Sequence, residues 1–363
     1  MVCRCPGDNK TYGYNFAYDN LSRLTSAQSL IGGVITLGYA TNYSYDKNGN
    51  LLHLRRGGQT GLSGTGIIDN LSFTLNGNQL KSVNDDATAT ASNGFEFKDG
   101  AKLATEYMYD ANGSLIKDLN KGIEIQYNLL NLPSQVKFSD GSTITYTYGA
   151  DGVKLRTVHK IGGVTTTTDY CDNVIYENGT AKQLLTEEGY VSLSDKKYHY
   201  YLKDHQGNNR VVTDQAGGME EANYYYPFGG VFLSNGNDVQ AYKYNGKELD
   251  TKKGLNWYDY GAREYDVVLG RFTTMDPSSE SYYSTSPYAY CGNNPVNRID
   301  PTGADWYEDK DGNLYWQEGH GELEGYTRLG TSVSIQLGKN SYLNAYQNAG
   351  IIANQAVSAF DLI

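Results

Sequence analysis

A nine-residue pattern that occurs twice constrains the fold of this chain more than any other feature. Residues 43–51 read YSYDKNGNL and residues 107–115 read YMYDANGSL, so both follow Y-x-Y-D-x-N-G-x-L. Alternate residues of a strand lie on the same face, which places the two tyrosines of each copy together. The Asn48-Gly49 pair supplies the positive φ that a tight hairpin turn requires, and a leucine begins the return strand. Each copy is therefore predicted to form one β-hairpin.

Degenerate copies of the pattern extend this prediction along the chain. They keep the Tyr-Asp start, the Asn-Gly turn or an Asp-Gly turn, and they lie at residues 18–24, 75–80 and 146–152. An isolated hairpin is only marginally stable in water, so successive units must pair edge to edge in a long antiparallel sheet. An ordinary antiparallel sandwich with coincidental turns is the alternative.

The composition favours strands over helices almost throughout. Glycine and tyrosine supply 42 and 34 of the 363 residues, and tyrosine favours strands. Apolar residues at helical spacing stand out only at residues 340–360, where we predict a helix, whereas residues 306–316 read as a hairpin with an Asp-Gly turn. The predicted fold class is thus mainly β, with a small mixed α/β C-terminal tail.

The charge balance and the cysteines exclude several classes of partner. With 30 Lys and Arg against 41 Asp and Glu, the net charge is −11, which argues against a binder of nucleic acid. No apolar run reaches the length of a membrane span, and residues 1–10 lack the apolar core of a signal peptide. Cys3 and Cys5 form a C-x-C without a second pair of ligands, so we expect no metal and no cofactor.

Residues 198–303 contain a dense series of short motifs. In order they are YHYYLKDHQGNNRVV at 198–212, YPFG at 226–229, YNGKE at 244–248, WYDYGAREYD at 257–266, GRF at 270–272, DP at 276–277, SPYAY at 286–290, NNP at 293–295 and DPTG at 300–303. This series closely resembles the RHS repeat-associated core domain, and the Tyr-Asp hairpins upstream resemble RHS/YD repeats. Together the two resemblances cover residues 12–303.

The resemblance implies an architecture and a role. Proteins of this family have a β-sheet strip that spirals into a hollow shell, a core domain that plugs one end, and a variable C-terminal toxin or effector. By analogy, residues 1–197 would be the hairpin repeats, residues 198–303 the core domain and residues 304–363 a truncated or remnant effector. The implied role is encapsulation and delivery in a secreted or cell-surface bacterial toxin system. The implied partners are the chain's own effector segment, an immunity protein and secretion machinery, and the chain is expected to be too short to close a complete shell.

The resemblance also implies a self-cleavage site. Family members cleave themselves by aspartic-type chemistry after a D-P-x-G-L motif, which here begins at Asp300 and ends in Ala304 instead of leucine. The matching upstream residues are Asp276 and Arg271, so cleavage would fall between Ala304 and Asp305. Two adjacent carboxylates can share a proton and act as general base and general acid, and an arginine can hold one of them ionised.

Two other interpretations stay open at this stage. Asp276 and Asp300 each precede a proline, and Asp-Pro begins turns, so both aspartates and Arg271 can have a purely structural role. The abundant Tyr and Trp side chains could instead stack on a cell-surface carbohydrate. Rings on an exposed concave face would favour sugar binding, whereas rings interdigitated between strands would not.

Overall fold

The computed structural model describes the chain except for residues 1, 5–10, 62–63, 237–238, 282, 301–304, 310–313, 318–325, 329–331, 339–340, 347–349 and 353–363. Seven strands form a first antiparallel sheet, and each pairs with the next in the chain. They are β1 (Val2–Arg4), β2 (Thr11–Tyr18), β3 (Leu24–Ile31), β4 (Val34–Tyr45), β5 (Leu51–Gln59), β6 (Thr65–Asn76) and β7 (Gln79–Asp85).

Fourteen further strands form a second sheet, again in chain order. They are β8 (Tyr107–Tyr109), β9 (Leu115–Asp118), β10 (Ile123–Tyr127), β11 (Pro133–Phe138), β12 (Thr143–Tyr148), β13 (Lys154–Ile161), β14 (Val164–Cys171), β15 (Val174–Glu177), β16 (Thr180–Thr186), β17 (Gly189–Ser192), β18 (Lys197–Lys203), β19 (Asn209–Asp214), β20 (Met219–Tyr225) and β21 (Val231–Gly236). The predicted edge-to-edge pairing of successive hairpins is thereby confirmed within each sheet, but the strands form two sheets, divided between β7 and β8, instead of one long sheet.

Residues 239–300, called the plug from here on, have a different organisation. A third sheet contains the short strands β22 (Glu248–Asp250), β23 (Trp257–Asp259), β24 (Glu264–Asp266) and β25 (Arg271–Phe272). Single turns of 3-10 helix lie at Tyr244–Gly246, Lys252–Gly254, Ser279–Ser281 and Cys291–Asn293. Two small sheets follow the plug, one with β26 (Asp305–Asp309), β27 (Leu314–Gln317) and β28 (Tyr326–Arg328), the other with β29 (Ser332–Gly338), β30 (Ser341–Tyr346) and β31 (Gly350–Ile352).

The repeat turns owe their shape to aspartate and glycine. The Oδ1 of Asp46 accepts hydrogen bonds from the backbone N–H groups of Asn48 and Asn50, both at 2.9 Å. Gly49 has a φ of 81°, whereas Asn48 does not adopt a positive φ. Residues 110–114 repeat this arrangement, with the corresponding glycine at 77°. The predicted hairpin turns are confirmed, with glycine alone in the left-handed conformation and a bulge at the end of the incoming strand.

Repeat tyrosines tie each hairpin to the one before it. The Tyr45 hydroxyl donates to the carbonyl oxygen of Leu24 at 2.7 Å, and the Tyr127 hydroxyl donates to that of Leu115 at the same distance. In both cases the acceptor is the first residue of the preceding return strand. Tyr109, the second tyrosine of the other full copy, also bonds to the preceding return strand, but its hydroxyl accepts the backbone N–H of Leu80 at 3.3 Å.

One hydrophobic core joins all three sheets. It includes Tyr43 and Leu54 of the first sheet, Ile125 and Tyr146 of the second, and a group of fully buried plug side chains that comprises Leu255, Trp257, Tyr258, Tyr260, Tyr265, Phe272 and Tyr290. Aromatic side chains bury large areas, so tyrosine supplies much of the buried apolar surface that Leu and Ile supply in most cores. The plug is therefore part of the same folded body as both large sheets.

The end of the second sheet also contacts the first. Beyond β20, the hydroxyl of Tyr226 donates to the carbonyl oxygen of Gly57 on β5 at 2.6 Å. On β21 the Phe232 ring stacks on that of Tyr39 of β4, with ring centroids 4.3 Å apart. The last strands of the second sheet thus contact β4 and β5 of the first sheet through their side chains.

The tail departs from one prediction and agrees with another. The helix predicted over residues 340–360 is wrong where the structure describes it, because β30 and β31 occupy residues 341–346 and 350–352. Tyrosine and isoleucine favour strands, and pairing of β30 with β29 and β31 overrides a helical spacing that rests mainly on alanine and tyrosine. The hairpin predicted over residues 306–316 is confirmed, with Trp306 opposite Trp316, although its turn lies outside the described residues.

Candidate functional site

The predicted aspartates lie in the last part of the plug. Asp276 follows β25, and its backbone N–H donates to the carbonyl oxygen of Pro287 at 2.9 Å. Asp300 is 4% exposed and is the last described residue before the segment 301–304. Ala304 therefore lies outside the described residues, and Asp305 begins β26.

A third residue brings the two aspartates together. One terminal nitrogen of Arg263, Nη2, lies 3.1 Å from Asp276 Oδ2 and 3.5 Å from Asp300 Oδ2. The Arg263 side chain is buried, and its guanidinium carbon lies 3.8 Å from the centroid of the Phe272 ring. Stacking and the second terminal nitrogen, which donates to the carbonyl oxygen of Pro287, fix the plane of the guanidinium. Two carboxylates that are 24 residues apart in the chain thus meet on one fixed cation.

Arg271 has another position. Its Nη2 donates to the carbonyl oxygen of Asn78 in the turn between β6 and β7, at 2.7 Å, and its guanidinium carbon lies 4.7 Å from the centroid of the Tyr288 ring. The arginine beside the two carboxylates is thus Arg263, and not Arg271 as expected from the resemblance. Arg263 stands in the motif at residues 257–266, but no local spacing connects it with Asp276 or Asp300. Only the pairing of β24 with β25 places it there.

The electrostatics of the pair suit acid–base chemistry. Burial raises the pKa of Asp276 above its usual range, and the Arg263 charge partly opposes this effect. The Oδ1 of Asp276 also accepts the backbone N–H of Ser278 at 2.8 Å, which is the turn-capping bond of the structural interpretation. A carboxyl that holds its proton more tightly, next to a second carboxylate, is the arrangement that divides acid and base roles between two aspartates.

The nearby thiol does not compete as a nucleophile. Burial, and next the negative charge of Asp300, raise the pKa of the Cys291 thiol well above its usual range. The thiol is therefore protonated at neutral pH, and the thiolate is the reactive form of cysteine.

The plug also holds the two repeat turns that carry the full sequence pattern. The side-chain amide of Asn293 donates to the carbonyl oxygen of Gly49 at 2.7 Å, and the Tyr288 hydroxyl donates to that of Gly113 at 2.7 Å. The backbone N–H of Leu115 donates to the carbonyl oxygen of Thr273, which also belongs to the plug, at 3.0 Å. The Asn-Gly turns are consequently docking points for the plug as well as chain reversals.

No metal site emerges from the part of the chain that the structure describes, because it contains no group of three His, Cys, Asp or Glu side chains placed to hold an ion. His199 instead stacks on Tyr190, with centroids 4.4 Å apart, and its Nδ1 lies 2.5 Å from Glu220 Oε2.

Within the described residues, no helix has the length and apolar character that a membrane crossing requires.

The chain is similar to several much longer proteins. Salivary gland surface protein 1 of Aedes aegypti is 33% identical over 235 residues, which cover 57% of this chain and 7% of that protein. The tRNA3(Ser)-specific nuclease WapA of Bacillus spizizenii is 29% identical over 301 residues, which cover 79% of this chain and 12% of that protein. No family model matches the chain.

A crystal structure shows the same fold. The complex TcdB2-TccC3-Cdc42 superimposes with a TM-score of 0.55 and 19% identity, over 83% of this chain and 17% of that chain. The mainly antiparallel β architecture of hairpin repeats is thus shared with a far larger assembly. This chain spans only about a tenth of the length of the curated relatives named above.

Proposed function

We propose that this chain, which is an RHS-repeat protein, forms the section of a toxin shell that carries the plug and retains a C-terminal effector segment. The observation that supports this role most directly is the docking of the plug on the turns at Gly49 and Gly113. Bonds to two separate hairpins fix the plug against the two large sheets, β1 to β7 and β8 to β21, which are called the wall from here on.

Ion pairs strengthen the same attachment along the second sheet. Lys154 of β13 reaches Glu248 and Asp259 of the plug at 2.7 and 2.5 Å, and Lys121 pairs with Asp266. The wall supplies the lysines and the plug supplies the carboxylates, so charge complementarity orients the two surfaces. Asp300, the last residue of the plug, is itself buried.

The division into repeats (1–197), core domain (198–303) and extension (304–363) belongs to this proposal. Strands β18 to β21 continue the second sheet as far as residue 236, so the first part of the core domain serves as wall. The effector segment, an immunity protein and secretion machinery are the proposed partners, and the proposed location is secreted or at the cell surface.

Retention of the tail tests the shell role. A protease recognition site is inserted after Ala304 in the full chain, the chain is cut, and the products are separated by size exclusion and weighed by mass spectrometry. Residues 305–363 are expected to elute with residues 1–304, because a shell holds its cargo without a covalent bond. A double variant, Tyr288→Phe with Asn293→Ala, is expected to release the tail, and Tyr200→Phe on the exposed face of β18 is the matched control. Separate elution of the tail from the unsubstituted chain would refute the role.

We infer self-cleavage as a second function, on the observation that Arg263 holds Asp276 and Asp300 together. One carboxylate takes a proton from a water molecule, which attacks the carbonyl carbon of Ala304. The other, in its acid form, protonates the amide nitrogen of Asp305 as the peptide bond breaks. The products are a new carboxylate on Ala304 and a new amine on Asp305, and the reaction occurs once per chain.

Intact mass over time tests this inference. The unsubstituted chain is expected to yield fragments 1–304 and 305–363, and Asp276→Asn, Asp300→Asn and Arg263→Lys are each expected to slow the cut by at least about 100-fold. Asp172→Asn is the control, because Asp172 is exposed in a turn where asparagine tolerates the positive φ of 56°. A single uncut mass in all samples would leave both aspartates as turn and packing residues.

Sugar stacking finds little support in the described repeats. Tyr43, Tyr107 and Tyr146 have their rings buried in the core, which is the arrangement expected of packing residues. Tyr198 and Tyr200 on β18 are exposed, with ring centroids 6.5 Å apart. Two side chains on one strand do not make the concave aromatic surface that the carbohydrate interpretation requires.

A further inference from the structure

A polar cavity of about 420 Å³ lies between the second sheet and the plug. Strands β12 to β16 supply one side and residues 239–264 of the plug supply the other. Asn178, Lys182, Thr251 and Lys252 line the cavity and are themselves exposed, so solutes can reach it. The cavity is separate from the group formed by Arg263, Asp276 and Asp300.

Three carboxylates form a row on the plug side of this cavity. In the third sheet Glu248 is paired with Asp259, and Asp259 is paired with Glu264, so all three lie at one level across β22, β23 and β24. Like charges directly opposite each other in a sheet are destabilising. The row therefore requires cations or protons beside it.

One cation is already in place at two of the three carboxylates. The Lys154 Nζ bonds to Glu248 and Asp259, and it lies 4.9 Å from the centroid of the Tyr170 ring. The Tyr170 hydroxyl donates to Glu248 at 2.8 Å. This part of the cavity thus binds a primary ammonium group through carboxylates and an aromatic face.

The third carboxylate has no such partner. Glu264 is 6% exposed and lines the cavity, and its carboxyl makes no hydrogen bond or ion pair with any described residue. Burial, then the charge of Asp259, raise the pKa of Glu264 well above its usual range, and the Lys154 charge partly opposes this effect. Without a second cation beside it, the buried carboxyl favours its protonated form.

The remaining charges around the cavity are already occupied or lie at its mouth. Lys243 pairs with Glu221, Lys182 with Glu177, and His159 Nε2 lies 2.8 Å from Asp250 Oδ2. The charge of Lys247 also acts on Asp259. The charged and titratable groups that line the cavity are Tyr146, Lys154, His159, Tyr170, Glu177 and Lys182 from the wall, with Tyr242, Lys243, Glu248, Asp250, Lys252, Asp259 and Glu264 from the plug.

We propose that this cavity binds a primary alkylammonium group, with the Glu264 carboxylate as its counter-ion. The ligand repeats at Glu264 what Lys154 does at Glu248 and Asp259. An alkylammonium fits better than a metal ion, because the described residues contain no three ligating side chains close enough to hold one. The ammonium can come from a free polyamine or from a lysine side chain of a peptide.

Calorimetry with the full chain tests the proposal. The probes are putrescine and Nα-acetyl-lysinamide, and butane-1,4-diol, which has the same length as putrescine and no charge, is the negative control. One ligand per chain is expected, and the tighter of the two probes identifies the source. Glu264→Gln is expected to weaken binding at least about tenfold, since it removes a charge-assisted contact. Glu124→Gln, on the exposed face of β10, is the matched control and is expected to bind like the unsubstituted chain.

A second readout does not depend on any variant. Because the ligand requires ionised Glu264, binding to the unsubstituted chain is expected to release up to about one proton, measured from the binding heat in buffers of different ionisation enthalpy. Absence of binding up to about 1 mM, equal affinity in Glu264→Gln, or binding without proton release would each overturn the proposal.

Discussion

Replacing Gly113 by alanine tests the docking of the plug on the repeat turns. Gly113 has a φ of 77°, and a Cβ at this position would lie 2.7 Å from Met275 Cγ and 2.9 Å from Tyr288 Oη, with Met275 Sδ in contact as well. Gly141, in the turn between β11 and β12, has a φ of 86° and no atom within 4 Å of such a Cβ. An alanine at either position would have a strained left-handed backbone, but only the alanine at position 113 would also meet atoms of the plug.

The magnitudes follow from this difference. Left-handed strain costs an alanine about 1–2 kcal/mol at either turn. At Gly113 the methyl group also overlaps packed plug atoms, which costs a further ~1–3 kcal/mol and displaces the hydroxyl that donates to the Gly113 carbonyl oxygen. Gly141→Ala is thus expected to lower the free energy of unfolding by about 1–2 kcal/mol, and Gly113→Ala by about 2–5 kcal/mol.

Urea denaturation, followed by tryptophan fluorescence and circular dichroism, measures both variants. Tryptophan fluorescence reports on the buried Trp257 of the plug together with Trp306 and Trp316 of the tail, and circular dichroism reports on the sheets. Equal losses in the two variants, with unchanged dependence on urea concentration, would show that no plug atoms lie against the Gly113 turn. That result would also remove the main support for the shell role.

Two further predictions concern a buried carboxyl and a repeat tyrosine. Burial raises the pKa of Asp118 to about 6, so the folded chain holds a proton there that the unfolded chain has lost, and stability is expected to fall as the pH rises from about 4 to about 6. Asp118→Asn should reduce this dependence by up to about 3 kcal/mol in denaturation measured across that window, and an unchanged pH profile would contradict the prediction. Tyr45→Phe should cost about 1 kcal/mol because it removes the bond to Leu24, whereas Tyr200→Phe on the exposed face should cost about 0 kcal/mol; equal losses would count against the tie between hairpins.

Local chemistry allowed most of the wall to be predicted. An aspartate that caps two backbone amides and a glycine with a positive φ three residues later act within five residues, as at Asp46 and Gly49. Turn position then sets strand length and pairing, so the meander of the two large sheets follows from the repeats. The tail helix was mispredicted because alanine and tyrosine at helical spacing carry little information against pairing with neighbouring strands.

The sequence alone determined that the chain folds into antiparallel hairpins, and its resemblance to the RHS core domain pointed to Asp276 and Asp300. Only the tertiary structure decided that Arg263 joins them, that Arg271 holds the β6–β7 turn instead, and that Glu264 lines a cavity without a bonded partner among the described residues. The physical reason is the distance along the chain between the residues that interact. A turn is decided by a few adjacent residues, whereas a buried charge takes its partners from segments that meet only when the plug packs against the wall.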